Sequence, residues 1–423
     1  MPAEAMQSEN LRVLMCNKFF VPVGGAETVM FEELKMLEAN GHTVIPFAMQ
    51  RADNLPSPYS KYFVSQVDYN ESGRSSARSL LRSAVNIIYS TEAARKIWDL
   101  VREVRPDIAH LHNIYHQLSP SICVALRREG VPMVMTLHDV KLLCPDYLFL
   151  RNGAICELCG GGKFYNAVRY KCVKGSRAKS MICCIEMYVH KLFKLYDRNI
   201  DIFIAPSEFL RNKLLEYGRL PAEQIVHIPN AIDLDAYTPS YSNQGYCLFV
   251  GRLASYKGIM TLMRAMSGNR HVQLRVVGDG DARQQAEEFK KLHSLDNVTF
   301  GGFQTGEVLR SIVQGAAFMI VPSECYENCP MTVLEAFATG KPVIGSRLGG
   351  IPDIIDDGVN GLLFEPGNAD DLAEKISYLA GQPKLLVGMG KAARAKVEKK
   401  YSPQEHLESL LCVYEKVIRL YRH

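Results

Sequence analysis

The stretch SECYENCPMTVLEAFATGKPVI, from Ser323, sets two glutamates, Glu327 and Glu335, with seven residues and a proline between them. AFMIVPSE has the character of a strand, CYENC of the loop at its carboxyl end, and MTVLEAFATG of a helix that stops near Gly340. Pro330 suits the first helical position, because the N–H it lacks would have no partner there. The start of that helix offers unpaired N–H groups and the positive end of a dipole, a phosphate site that needs no metal. Glu327, in the loop, can accept hydrogen bonds from hydroxyls; Glu335, about a turn and a half into the helix, can serve a second diol. A carboxylate at each end with amides between them suits a sugar–diphosphate–ribose ligand. The ordinary alternative is a solvated loop carboxylate and a glutamate held in a local network.

Such a site needs a frame. LRVLMCNKF, from Leu11, is a short apolar run; PVGGAE, with Gly24 and Gly25, is a turn; TVMFEELKMLEANGHTV is an amphipathic helix that ends at Gly41 and enters a second strand. Strand, glycine loop, helix and strand make a parallel βαβ unit. PDIAHLHN follows a helix that includes residues 93–104, and VPMVMTLHD, DIFIAPSEF and IVHIPN continue the series. DLDAYTPSYSNQG is polar and turn-rich and reads as a linker. YCLFVGRLASYKGIMTLMRAM then opens a second series, continued by VQLRVVGDGD, VTFGGF, AAFMIVPSE, KPVIGS and GLLFEP. The expected fold is α/β: two facing Rossmann-like, doubly wound domains with a deep cleft at their strand carboxyl ends. The last segment is helical by periodicity, and its Leu407, Leu410, Leu411, Val413, Val417 and Leu420 need a surface to cover.

The composition is that of a globular protein: 423 residues, 47 % hydrophobic and 22 % charged, with a net charge of +4 too small to argue for nucleic acid. No apolar run approaches a bilayer span, and MPAEAMQSEN has no basic-then-apolar signal pattern, so a reducing cytoplasm is expected. Of twelve cysteines, Cys144, Cys156, Cys159 and Cys172 form C-x₁₁-C-x₂-C-x₁₂-C, a set of thiolates able to hold a structural zinc ion; a disulfide pair or plain buried thiols are the alternatives. They lie in an insertion of about 144–184 whose own apolar content is too low for a core. That region is also basic and aromatic: Arg151, Lys163, Arg169, Lys171, Lys174, Arg177, Lys179, Lys191, Lys194 and Arg198 outnumber Glu157, Glu186 and Asp197, beside Phe164, Tyr165, Tyr170, Tyr188 and Phe193. Such a surface suits an anionic membrane or a lipid-linked diphosphate, or is simply a solvated charged face.

ENCPMTVLE followed by AFATGKPVIGSRLGGIPDIIDDGVNGLLF resembles the donor-site signature of the family 4 retaining glycosyltransferases of the GT-B fold. The resemblance runs through nearly the whole chain: PVGGAETVM, PDIAHLHN, TLHD, IPNAID and LFVGRLASYKGI match segments of that family in its order. It implies an acceptor-binding domain over residues 1–238, a nucleotide-sugar domain over 239–400, and a helix over 401–423 that crosses back onto the first domain. It implies that Glu327 binds the donor sugar's hydroxyls and that backbone around Asn328, Cys329, Met331 and Thr332 holds the sugar and diphosphate. Glu335 would bind the ribose, and Arg252 and Lys257 would offset the leaving group's charge without magnesium. Gly24 and Gly25 would let the first loop approach the ligand, His138 would face the sugar near the reacting carbon, and Asp139 would brace the loop. The implied partners are a nucleoside-diphosphate sugar and a saccharide or lipid-linked acceptor, in synthesis of a surface polysaccharide, lipopolysaccharide or glycolipid. The implied place is the cytoplasm, peripheral at the inner face of the membrane. Two departures stand out: Asn230-Ala231 replaces the family's usual Asn-Gly, and Asn328-Cys329 its usual glycine–aromatic pair. A nucleotide-sugar epimerase and a non-catalytic sugar-nucleotide sensor share the expected architecture; an NAD dehydrogenase is disfavoured because the first loop lacks G-x-G-x-x-G.

Overall fold

The computed structural model describes residues 10–66 and 85–421. In chain order its strands are β1 (Arg12–Cys16), β2 (Thr43–Phe47), β3 (Ile108–Leu111), β4 (Met133–Thr136), β5 (Leu150–Arg151), β6 (Ala154–Ile155), β7 (Ile202–Ala205), β8 (Ile225–His227), β9 (Tyr246–Val250), β10 (Gln273–Val277), β11 (Val298–Gly302), β12 (Ala316–Val321), β13 (Val343–Ser346) and β14 (Gly361–Phe364). β5 and β6 pair as a small antiparallel hairpin. The others form two parallel six-stranded sheets, in the orders β2-β1-β3-β4-β7-β8 and β11-β10-β9-β12-β13-β14. β3, β4, β7, β13 and β14 are buried along their whole length, which is why they read as unbroken apolar runs rather than alternating ones. Helices cover both faces of each sheet.

Strand order reverses between β1 and β3 in the first sheet and between β9 and β12 in the second. At such a reversal the connecting loops part and leave a crevice beyond the strand carboxyl ends. The segment after β1 and the segment after β3 are tied there by Asn17, whose Oδ1 accepts from Asn113 N at 3.1 Å. In the second domain the loops after β9 and β12 meet so closely that a Cβ on Gly258, which has φ +73°, would lie 1.8 Å from Pro322 O.

The helix Pro403–Arg419 belongs in space to the first domain. Its Leu407, Leu410, Val413, Tyr414, Val417 and Ile418 pack with Val13, Met30, Ile108 and Val134. Leu411 is only partly buried against that cluster, and Leu420 caps the helix with its side chain in solvent, so the periodicity overcounts the covered face. The segment read as a linker lies along the second domain: Ser240 N donates to Thr339 O at 2.9 Å and Gln244 N to Gly315 O at 2.8 Å. Neither Asn230 nor Ala231 has a positive φ, so the Asn-Ala turn needs no glycine. Among the described residues no helix is long and apolar enough to cross a membrane.

Candidate active site

The loop after β12 carries the first carboxylate. Glu327 Oε1 accepts from Lys257 Nζ at 2.5 Å and from Ser323 Oγ at 2.6 Å. Burial alone would push the Glu327 carboxyl up and the Lys257 ammonium down; their mutual attraction more than offsets this, so both stay charged. Gly350 N donates to Glu327 O at 2.7 Å and fixes the loop's backbone. Next to it, Thr261 Oγ1 donates to Glu324 Oε1 at 2.5 Å and Glu324 N to Tyr256 O at 2.8 Å, which lock the β12 loop to the segment after β9.

The helix Met331–Ala338 follows. Pro330 is its N-cap and Met331 its first residue, one position later than the sequence reading placed the start. Pro330 therefore keeps the extended ψ of 111° that ends the loop. The stop is as read: Gly340 has φ +72° just past the Thr339 cap. Met331 and Thr332 stand in the first turn, where N–H groups have no partner within the helix. Glu335 is mostly buried, with no ion pair among the described residues, and burial pushes its carboxyl up to about 7 despite a bond from the Tyr237 hydroxyl. Arg252 is exposed just beyond β9, and among the described residues its guanidinium makes no hydrogen bond or ion pair.

Asn328 and Cys329 reach across to the first domain. Asn328 Nδ2 donates to Leu137 O at 2.8 Å, and its Oδ1 accepts from Ser207 Oγ at 2.5 Å. Cys329 O faces Asn230 Nδ2 at 3.5 Å. The Asn328 side chain is thus spent on joining the domains, and what it leaves for a ligand is backbone. The Leu137 carbonyl it holds precedes His138, so the loop of Glu327 and the strand end of His138 are neighbours. His138 is pushed down to about 3, chiefly by burial, and is neutral. Asp139 Oδ1 accepts from Lys141 N at 2.8 Å, a brace.

Gly24 caps the helix Gly25–Ala39 in extended backbone, and a Cβ on Gly25 would have nothing within 4 Å. The protein's own backbone requires neither glycine, and the space beside Gly25 is open.

Sequence reasoning passed over several residues. Glu33 and His406 form a buried pair, with Glu33 Oε1 3.2 Å from His406 Nε2. Glu33 Oε2 lies 3.3 Å from both His110 Nδ1 and His112 Nε2. The histidines of IAHLHN alternate, which puts both on one face of a strand and is the signal that was available. Glu186, counted with the surface charges, is fully buried and accepts from Lys141 Nζ at 2.9 Å. Glu157, between Cys156 and Cys159, accepts from Tyr217 OH, from Lys213 Nζ at 3.0 Å and from Tyr326 OH at 2.5 Å. Tyr326 immediately precedes Glu327, so the cysteine-bearing insertion braces the loop of Glu327.

Of the four cysteines, Cys144 and Cys159 are buried and hydrogen-bonded to one another, which brings the Cys144 thiol down to about 7. Burial and the nearby Cys144 and Cys156 push Cys172 up to about 11. The chemistry of the four thiols suits a thiolate-bound ion, and Cys144 and Cys159 lie side by side. Among the described residues, however, the groups with three ligand atoms within 4.8 Å of one another are Glu33–His110–His112 and His116–Cys183–Glu186, and the four thiols form neither. Part of the basic region is spent internally: Arg151 stacks 4.2 Å over the Tyr170 ring and Lys191 5.9 Å over Phe164.

Residues 23–236 match the model of "Glycosyltransferase Family 4" and residues 233–396 that of "Glycosyl transferases group 1". An uncharacterized glycosyltransferase of Methanocaldococcus jannaschii is 31 % identical over 74 % of this chain and 76 % of its own length. The alpha-maltose-1-phosphate synthase of Mycolicibacterium smegmatis is 26 % identical over 86 % of this chain and 89 % of its own. The sulfoquinovosyl transferase of Arabidopsis thaliana is 28 % identical over 71 % of this chain but only 54 % of its own. Among solved structures, the sucrose-phosphate synthase of Thermosynechococcus elongatus superposes with a TM-score of 0.72 at 20 % identity, covering 97 % of this chain and all of that one (100 %). Anabaena HepE, solved with UDP-glucose, superposes with 0.66 at 17 % identity over 96 % and 100 %.

Proposed function

This chain belongs to glycosyltransferase family 4 and has the GT-B fold, and from its site we infer that it moves a sugar from a nucleoside-diphosphate sugar to a hydroxyl acceptor with retention at the anomeric carbon. The observation that carries the reading is the Lys257–Glu327 pair at the β9/β12 reversal, with Arg252, unpaired among the described residues, and a helix start beside it. Leaving-group departure puts negative charge on the diphosphate. Arg252, Lys257 and the first turn of the helix at Met331 are the groups that stabilise it, so this chain needs no catalytic metal. Glu327, released from Lys257 as the phosphates take up that cation, orients the sugar's hydroxyls. Glu335 takes the ribose diol, which supplies the donors its buried carboxylate lacks. Backbone of Asn328, Cys329, Met331 and Thr332 holds the rest, and His138 stands across from them at the sugar. The acceptor hydroxyl attacks on the face the diphosphate leaves, and the departing phosphate oxygen takes its proton; the protein's part is positioning and charge. HepE's UDP-glucose complex makes a UDP-sugar the first donor to try. Incubation with UDP-, GDP- and ADP-sugars under thermal-shift readout, then anomeric NMR of the product, tests the reading; no stabilisation by any nucleotide, or an inverted product, overturns it.

The four thiols belong to the same proposal as a structural zinc site that stiffens the turn carrying Glu157. One equivalent of zinc in purified protein, lost in Cys156→Ser, is the expected result; no metal in protein prepared under reducing conditions refutes it. The helix Arg177–Leu192 exposes Met181, Ile185, Tyr188 and Leu192 at helical spacing, continued by Phe193 and flanked by Lys191 and Lys194. That basic, apolar stripe supports peripheral contact with an anionic membrane, where a lipid-linked acceptor would be met. Co-sedimentation with anionic but not neutral vesicles, weakened by Leu192→Glu, is the outcome that fits; equal recovery with both does not.

A further inference from the structure

Glu33, on the helix Gly25–Ala39, is 2 % exposed and has no place in the donor-site roles above. It is joined to His138 through a single imidazole. Glu33 Oε2 lies 3.3 Å from His112 Nε2, and His112 Nδ1 lies 3.0 Å from His138 Nε2. Among the described residues neither Glu33 Oε2 nor His112 Nε2 makes a hydrogen bond of ordinary geometry, and their 3.3 Å contact is what joins them. His110 does not compete, because Tyr414 OH takes its Nδ1 and Thr136 Oγ1 its Nε2, both at 2.8 Å.

The protons can be assigned along this chain. Burial would push the Glu33 carboxyl up, but His110, His112 and His406 more than offset it and hold it well below the usual range. His406 is held up by Glu33 and by Pro229 O, 2.8 Å from its Nδ1, against the effect of burial. A carbonyl only accepts, so His406 Nδ1 carries a proton; with Nε2 facing a carboxylate, that ring is the cation of the pair. The His406 cation already balances Glu33, so a second buried charge on His112 would have no counter-ion and that ring carries one proton. Its Nε2 faces the carboxylate, where a bare lone pair would be repelled, so the proton sits there and Nδ1 is an acceptor. His138 Nε2 must then be the donor. A neutral imidazole has one N–H, so Nδ1 of His138 is bare.

We propose that Glu33 and His112 are positioning residues that hold His138 as its Nε2–H tautomer, leaving Nδ1 as that ring's hydrogen-bond acceptor. This deepens the reading of His138 as a residue at the donor sugar: it would accept a hydrogen bond from a hydroxyl and would not donate one. Glu33, His112 and His406 come from a helix, a strand end and the C-terminal helix, so the tautomer depends on three separate elements staying packed.

The test is long-range ¹H–¹⁵N NMR on full-length protein labelled in histidine rings, with the His138 signals identified by their loss in His138→Gln. Protonated Nε2 and bare Nδ1 are expected in the unaltered protein. In Glu33→Gln, whose amide can donate as well as accept, the pattern is expected to become a mixture of tautomers. His112→Phe, which removes the acceptor and leaves the Glu33–His406 contact, is expected to do the same and serves if Glu33→Gln does not fold. An Nδ1–H tautomer in the unaltered protein, or a pattern unchanged in a folded variant, overturns the proposal. The spectrum is read without donor or acceptor, so its outcome stays separate from whether the chain transfers sugar.

Discussion

Lys257 Nζ and Glu327 Oε1 lie 2.5 Å apart, so the cation expected to meet phosphate and the carboxylate expected to meet sugar are bonded to each other. Each neutralises the other until a ligand offers both a better partner. Lys257→Ala should lower kcat/KM by about 10²–10³-fold, as loss of one charge-stabilising group does. It should also cost roughly 1–3 kcal/mol of stability by leaving Glu327 without its cation. The double variant Lys257→Met, Glu327→Gln should recover most of the melting temperature and none of the activity; recovery of both would remove these residues from the site.

Glu335 titrates near the working range, since burial holds it at about 7. For an acid whose folded value is raised, the stability contribution is complete below its ordinary 4.5 and is lost as pH rises through about 7. Glu335→Gln should therefore melt higher than the unaltered protein at pH ~8, by roughly 2 kcal/mol, and match it near pH ~5. Ribose hydroxyls favour the ionised carboxylate, so nucleotide affinity should rise between those values in the unaltered protein. Calorimetric titration that shows the same rise in Glu335→Gln would assign it elsewhere.

Gly258 has no room for a side chain: φ is +73° and a Cβ would lie 1.8 Å from Pro322 O. Gly258→Ala should cost more than about 2 kcal/mol and shift the loops that carry Lys257 and Ser323, with a matching loss of nucleotide binding. Urea unfolding with an unchanged midpoint would contradict the close approach.

Tyr326 and Asn328 join the domains on either side of Glu327. Tyr326→Phe removes the bond to Glu157, and Asn328→Ala removes those to Leu137 O and Ser207 Oγ. Each should lower kcat/KM by about tenfold, the worth of one net hydrogen bond in placing the loop, while the melting temperature moves little. Small-angle scattering should show a larger radius of gyration for Asn328→Ala; an unchanged profile with unchanged kinetics would show that the contact places nothing.

His406→Ala strips the buried Glu33 of its cation and should cost about 3–5 kcal/mol. The pair's pH window follows from its two members. Glu33 is lowered, so its contribution holds above its ordinary 4.5 and fails in acid; His406 is raised, so its contribution holds below its ordinary 6.5 and fails as pH climbs past its folded value. The C-terminal helix should be held hardest between those limits, and hydrogen exchange over residues 403–419 should be slowest there. A variant whose exchange keeps the same pH dependence would refute the pairing.

What local order writes into a chain was readable. The β12 loop, its proline and the following helix form one continuous segment, so Glu327, Met331 and Glu335 could be placed from spacing alone. The parallel sheets were visible because strands buried on both faces leave unbroken apolar runs. Pro330 was placed one residue too early because the ring satisfies both the cap and the first turn, and only ψ tells them apart. Glu33 and His406 were invisible for another reason: they meet across 373 residues, and a lone glutamate in an amphipathic helix looks like any solvated one. Glu186 misled in the same way, because its partners Lys141 and His116 come from other parts of the chain. Asn328 was read as a ligand residue; its interdomain role depends on Leu137 and Ser207, which no local pattern connects to it.

The chain passes between its two halves near Ile232 and again near Tyr401, and Ile232 N donates to Tyr401 O at 3.0 Å. Two tethers stitched together at one place allow turning about that place and resist sliding or separation. The halves therefore work as jaws on a common pin, and a change of length in either passage would alter the bite between His138 and Lys257 without touching a residue of the site.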